Sequence, residues 1–304
     1  MQHVLITGGT GMLGTRLTEW LLQNGMQVSH LSRYPNPHAT VKQFQWNYKT
    51  GIMDPEAIQT ADAIINLAGA GIADHRWTPA YKKEIYDSRI LGTRLLVQSL
   101  KQTEHRIKTI IQISAIGIYR QNLTGPGDEN TAMGNDFLAK TCMDWENELI
   151  QTIPSEIRTV VVRTGTVLSP RGGFLKKLYL PFRFTGGVYF GNGTQQQSWI
   201  HIDDWCAIMM HALKDLTLTG TYNAVSPNPI DQKQMMQEIS RSLHRRLWLP
   251  PVPAFALRWI LGELTGELLA SHALVPDRLL KTGYHFQYPE IKSALKDIYP
   301  DKKN

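Results

Sequence analysis

One stretch, VLITGGTGMLGTRL at residues 4–17, limits what this chain can fold into more than any other. Its glycines Gly8, Gly11 and Gly14 recur every three residues, between the apolar run HVLIT (3–7) and an amphipathic run over 13–24. Leu13, Leu17, Trp20 and Leu21 fall at helical spacing, and Asn24-Gly25 ends the helix. A strand that turns through glycines into a helix presents the first N–H groups of that helix, partly positive, on a surface without side chains. Gly8 permits the tight turn, Gly11 lets a ligand approach the backbone, and Gly14 lets helix and strand pack closely. Such a unit belongs in a parallel sheet with a site at the carboxyl ends of its strands.

The chain continues in that rhythm. QVSHLSR (27–33), DAIINLAG (62–69), KTIIQISA (108–115) and RTVVVRTG (158–165) read as strands, and helices are expected over about 79–103 and 134–152. Unbroken apolar strands suit a sheet covered on both faces. The expected fold class is α/β: a Rossmann doubly wound parallel sheet over residues 1–168, with contributions from about 191–225. Past residue 170 glycines crowd together, then a helix (203–214), the strand GTYNAV and a helix (231–243) follow. Residues 169–304 form a smaller, mostly helical substrate lobe in this reading. It includes a proline-rich joint at 249–255 and a helical segment 250–304, broken near Pro276 and Gly283. Gly172, Gly173, Gly186, Gly187, Gly191 and Gly193 mark turns over the mouth of the site, either a lid or ordinary loops.

The loop's geometry predicts a nucleotide whose pyrophosphate lies on Gly8, Thr10, Gly11, Met12, Leu13 and Gly14. Leu67, Ala68 and Gly69 follow the strand in the same unit and join the expected cofactor site. The second strand ends in Ser32-Arg33 with no acid nearby, where an NAD site places a carboxylate for the ribose. A guanidinium there suits a 2′-phosphate, so NADP(H) is the expected cofactor. Arg76, after the NLAG turn, is within reach of the phosphates in this reading.

Composition narrows the rest. At 304 residues with 42% apolar content the chain can bury a large core. The net charge of +6 is scattered, with no Lys/Arg run longer than a pair such as Arg245-Arg246, which argues against nucleic acid as a partner. Cys142 and Cys206 lack metal-ligand spacing, so no disulfide framework and no metal are expected. No signal-peptide pattern and no run of about 18 apolar residues is present, which predicts a cytoplasmic chain off the membrane, with a frayed tail 301–304. Nothing indicates an oligomeric state.

The TGGTGMLG loop, NLAG and a serine after a later strand (SAIGIY, 114–119) resemble the short-chain dehydrogenase/reductase superfamily. The segments at 66–93, 136–146, 163–183, 191–204 and 275–295 more narrowly resemble its extended, atypical members called nucleoside-diphosphate-sugar epimerase-like, with a C-terminal domain of unknown function. The resemblance implies NADP(H), an unidentified small-molecule substrate, and catalysis by a Ser, Tyr and Lys. Ser114 matches the serine that polarises the substrate oxygen, and Lys140 the lysine that binds the nicotinamide ribose. Asp136 stands where the tyrosine belongs, and its neighbour Phe137 has no hydroxyl. An aspartate of ordinary pKa is no proton donor at neutral pH, and an ion pair with Lys140 on the next turn would keep it charged. Tyr119 is the substitute candidate. Two readings follow: an oxidoreductase or epimerase working by hydride transfer, or a non-catalytic NADP(H)-binding regulator that has lost the tyrosine.

Other positions have structural expectations. Trp77, Met209-Met210 and Met235-Met236 read as packing, Arg89 as an ion-pair anchor, Asp203 or Asp204 as a helix N-cap, and His201 as structural.

Overall fold

The computed structural model describes residues 2–123, 125–185, 187–245 and 251–300. Gly186, Arg246, the joint's first residues Leu249 and Pro250, and the tail 301–304 lie outside them. In chain order the strands are β1 (His3–Thr7), β2 (Gln27–Ser32), β3 (Lys42–Asn47), β4 (Ile52–Met53), β5 (Ala63–Asn66), β6 (Thr109–Ala115), β7 (Arg158–Thr164), β8 (Thr166–Leu168), β9 (Gln196–Gln197), β10 (Trp199–His201), β11 (Gly220–Ala224) and β12 (Ile230–Asp231). The helices are α1 (Met12–Gln23), α2 (Glu56–Thr60), α3 (Pro79–Gln102), α4 (Phe137–Ile150), α5 (Gly173–Thr185), α6 (Ile202–Lys214), α7 (Gln232–Ser242), α8 (Ala254–Leu261), α9 (Leu264–Leu269), α10 (Asp277–Lys281) and α11 (Ile291–Ile298).

The main sheet runs β11-β7-β6-β5-β1-β2-β3-β4. Every described pair in it is parallel except β3 with β4. The chain winds outward from β1 through β2 and β3, then crosses to β5 on the other side, so the strand order reverses at β1. Ligands of such sheets lie at that reversal, outside the carboxyl ends of the strands. On one face Leu17 and Leu21 of α1 and Trp205 and Met209 of α6 pack on Val4, Ile6 and Val162. On the other, Leu96, Val97 and Leu100 of α3 and Leu149 of α4 pack on Leu5, Ile64 and Ile110. Each fully buried aliphatic side chain of this kind contributes roughly 1.5–3 kcal/mol.

The strands β3 and β4 and the helix α2 have no counterpart in the expectations. KQFQWN alternates polar and apolar residues only weakly, and its pairing with β2 supplies the order. The sequence after residue 170 is divided. β11 and α6 return to the main sheet, whereas α5, α7 and α11 build a separate core of Leu175, Phe182, Met235, Ile239 and Leu295.

Two polar expectations are corrected. The N-cap of α6 is His201, not Asp203 or Asp204. Its Nδ1 accepts from the Asp203 amide at 3.1 Å, and burial keeps the ring neutral by lowering its pKa. Both carboxylates are committed elsewhere. Asp203 takes Arg16 at 2.7 and 2.8 Å, and Asp204 accepts from the amides of Gln287 and Tyr288. Among the described residues Arg89 makes no ion pair. It donates to the carbonyls of Ala70 and Ile85 and lies 5.1 Å from the Trp145 ring centroid, so carbonyl dipoles and a π face replace the carboxylate.

A buried ion pair joins the sheet to α4. Arg163 on β7 donates to Glu146 at 2.9 and 2.7 Å, both side chains about 5% exposed. Arg163 also donates to the Tyr119 hydroxyl, which donates to Asn223 on β11. The Asn223 amide in turn donates to buried Glu129. This chain of bonds fixes the far edge of the sheet.

Candidate functional site

The glycine loop is built as a cradle. Gly8 has φ +68°, and a Cβ there would lie 3.1 Å from the Ala68 Cα. A Cβ on Gly14 would meet the Gly8 carbonyl oxygen and the Gly9 Cα, each at 2.5 Å. Gly9, which the spacing did not single out, faces the His30 ring at a distance no side chain allows. His30 is held neutral by burial, its pKa lowered to about 4. Thr18 donates to the Gly14 carbonyl, so the 2.8 Å contact with His30 Nε2 makes that nitrogen the donor. Helix α1 then starts at Gly11 with no side-chain cap and no acidic residue in its first turn. Its leading N–H groups are left for an anion.

The NLAG turn is held from below. Thr7 Oγ1 donates to Asn66 and accepts from the amides of Leu67 and Ala68 at 2.8 and 2.9 Å. Asn66 passes the chain on to Thr93 and Gln112, and Trp145 donates to Thr93. All four polar side chains of this network are buried, so backbone placement at 67–69 depends on a fully matched set of hydrogen bonds.

Above the carboxyl ends of β1, β2 and β5 lies a cavity of about 1520 Å³. Single drug-sized ligands occupy clefts of roughly 300–1,000 Å³, so this one is larger than a single such ligand needs. Gly8, Thr10, Gly11, Met12, Leu13 and Gly14 line it, as do Leu67, Ala68, Gly69, Ser32 and Arg33. Arg33 is exposed at one end. The nearby carboxylate of Glu84 is already bonded by Lys49 and Tyr48, which hold its pKa below the ordinary range.

The other predicted residues lie elsewhere. Arg76 is not among the lining residues. It is exposed and stands against Gly262 in the turn between α8 and α9, next to buried Trp77. Ser114, Tyr119 and Lys140 are likewise absent from the lining. Ser114 is buried at the end of β6, its Oγ against the Cys142 thiol, which burial pushes up to about 11. Lys140 is exposed on α4. Asp136 is the N-cap of that helix, accepting from the Ala139 amide at 2.9 Å, and the ion pair expected with Lys140 does not form. Capping requires a charged or polar acceptor at the helix start, which explains the aspartate without acid–base chemistry.

Tyr119 is the candidate whose hydroxyl is most fully engaged. A short 3₁₀ turn at Ile116–Ile118 carries it under the sheet edge, where it is fully buried. Its hydroxyl is spent on Arg163 and Asn223, and burial raises its pKa further. Tyr119→Phe is expected to cost roughly 1–3 kcal/mol, measured as a lower urea midpoint, and to leave nucleotide affinity unchanged. Unchanged stability with lost turnover would restore the acid–base role.

Trp77, Met209, Met210, Met235 and Met236 are all buried in apolar clusters. His201, Asp203 and Asp297 offer donor atoms within 4.8 Å of one another, but Arg16 occupies both Asp203 oxygens. Among the described residues no helix is long and apolar enough to cross a membrane.

Comparison with known proteins places this geometry among relatives. A model of the NAD dependent epimerase/dehydratase family matches residues 4–224, and a domain of unknown function, DUF1731, matches 252–298. The chain is 35% identical to the epimerase family protein YfhF of Bacillus subtilis, over 99% of each chain. It superposes on a crystal structure of the human epimerase family protein SDR39U1 (isoform2) with NADPH at a TM-score of 0.88 and 32% identity, covering 98% of this chain and 99% of that one. A nucleoside-diphosphate sugar epimerase from Corynebacterium glutamicum gives a TM-score of 0.77 at 30% identity, covering 97% of this chain and 57% of that one.

Proposed function

The chain belongs to the NAD dependent epimerase/dehydratase family, and we propose that it holds NADP(H) in the cleft over β1, β2 and β5 and acts on a small carbonyl or hydroxyl compound. The observation that carries this reading is the uncapped start of α1, set in a cradle that a side chain would fill and opening on the large cavity. The human relative's complex with NADPH supports the same cofactor. The amides of Met12, Leu13 and Gly14 would hold the pyrophosphate, and Ser32 with Arg33 the 2′-phosphate. When bound, the nicotinamide supplies or accepts a hydride.

Ser114 supports a chemical role by its position. Its hydroxyl sits buried at the carboxyl end of β6 beside Cys142, outside the cavity lining, so this role requires a shift of the neighbouring chain to bring a substrate oxygen to it. The ribose role expected of Lys140 gains no support from its place, exposed on α4 and outside the lining. Tyr119 being spent, water delivers the proton. A second reading, an NADP(H)-binding regulator without turnover, is favoured by one observation: Asp136 is used as a helix cap where a tyrosine would act. Stopped-flow loss of NADPH absorbance against a panel of carbonyl compounds separates the two. Oxidation of NADPH by any of them supports the enzyme, and tight binding without oxidation or epimerisation supports the regulator.

Arg33→Ala is expected to lower NADPH affinity about tenfold, the worth of one charge-assisted contact to phosphate, while NADH affinity stays the same. Fluorescence titration of both nucleotides checks this. Equal affinity of the wild type for NADPH and NADH would remove Arg33 from the site.

A further inference from the structure

We infer that the half of the cavity beneath α8 and α9 takes a ligand with an apolar body and rejects nucleoside-diphosphate sugars. This rests on the NADP(H) reading only for what fills the other half.

The wall is aliphatic. Leu257, Ile260, Leu261, Leu264 and Leu268 recur at helical spacing across the two helices and face the cavity. Leu261 and Leu264 continue into a cluster with Ile72, Trp77 and Phe137, so the apolar surface runs on under the roof. Phe174, Leu178 and Phe190 line the cavity as well.

Among the described residues, the cations near this half are already paired or lie outside it. Among the described residues lining this half, the cation is Lys177, which donates to the Ala73 carbonyl and stands 3.5 Å from Asp74. Lys82 is paired with Glu263 at 2.7 Å, and Arg76 stands against Gly262; neither lines the cavity. Arg33 is at the opposite end, with the predicted ribose phosphate. The N–H groups of α1 serve the first pyrophosphate. A second diphosphate would lose its water against leucines and gain little in return. An aliphatic or alicyclic body gains affinity from the same wall with every methylene it buries.

Isothermal titration calorimetry on the NADPH-loaded protein tests this with unreactive probes: hexanol, octanol, decanol and UDP-glucose. Affinity is expected to rise about fourfold per added methylene along the alcohols, and UDP-glucose to give no heat up to about 1 mM. Ile260→Asn should weaken decanol roughly tenfold and leave NADPH affinity unchanged. Ile260 is largely exposed, so this substitution spares the core. The series in the wild type tests the inference independently of any variant. Chain-length-independent affinity, or UDP-glucose binding that displaces decanol, would overturn it. Titration of NADPH alone keeps the two readings apart. A protein that shows the alcohol series without binding NADPH refutes the cofactor, and one that binds NADPH without the series refutes the apolar subsite.

Discussion

Gly14→Ala is expected to abolish measurable NADPH binding and to destabilise the fold by roughly 1–3 kcal/mol, the cost of forcing one methyl into a packed site. The new Cβ would stand 2.5 Å from the Gly8 carbonyl oxygen and the Gly9 Cα, and 2.7 Å from the Gly9 carbonyl carbon. All three are backbone atoms, so no side chain can rotate away. Either α1 lifts from the turn or the turn distorts, and both displace the N–H groups that meet the pyrophosphate. The loss should be at least about a hundredfold in affinity, since several aligned donors move together. Fluorescence titration with NADPH and urea denaturation measure the two effects. Wild-type affinity in Gly14→Ala would mean that the cofactor does not lie on this helix.

Glu146→Ala should cost still more stability, about 3–5 kcal/mol, by leaving the Arg163 guanidinium buried without its carboxylate. Burial alone lowers a guanidinium pKa, and here the two bonds from Glu146 more than reverse that, so Arg163 stays charged. The damage should spread to the hydroxyl of Tyr119 and to Asn223, which share the network. Replacing both partners by methionine is expected to recover most of the loss, because no charge then remains to desolvate. Urea midpoints of the single and double variants decide it. Equal destabilisation by the single and the double change would show that packing volume, not charge, dominates the pair.

The sheet was legible because its strands are continuous apolar runs and its first turn is marked by glycines. TIIQI and TVVV have a single stable setting, with both faces covered. The cofactor residues were legible for a related reason: a site made of backbone is written in glycine spacing. KQFQWN at 42–47 was not legible, since its strand character comes from pairing with β2. Nor was Gly9, whose partner His30 is distant in sequence and meets it only across the folded turn. The apolar roof was missed because Leu257 to Leu268 looks like any helix core until the fold turns that face onto a cavity.

The sequence by itself determined the apolar central strands, the turn that opens α1 and the anion-binding character of that turn, because each is written in residues close along the chain. Which side chains are available for chemistry was decided only by the tertiary structure. Tyr119 and Ser114 lie five residues apart, yet one hydroxyl is consumed by Arg163 and Asn223 while the other lies against the Cys142 thiol. That difference is made by groups 44 and 104 residues away in the chain. Asp136 likewise acquires its meaning from the helix it caps. Spacing can nominate a catalytic group, but its hydrogen bonds are spent or saved by residues that only folding brings near.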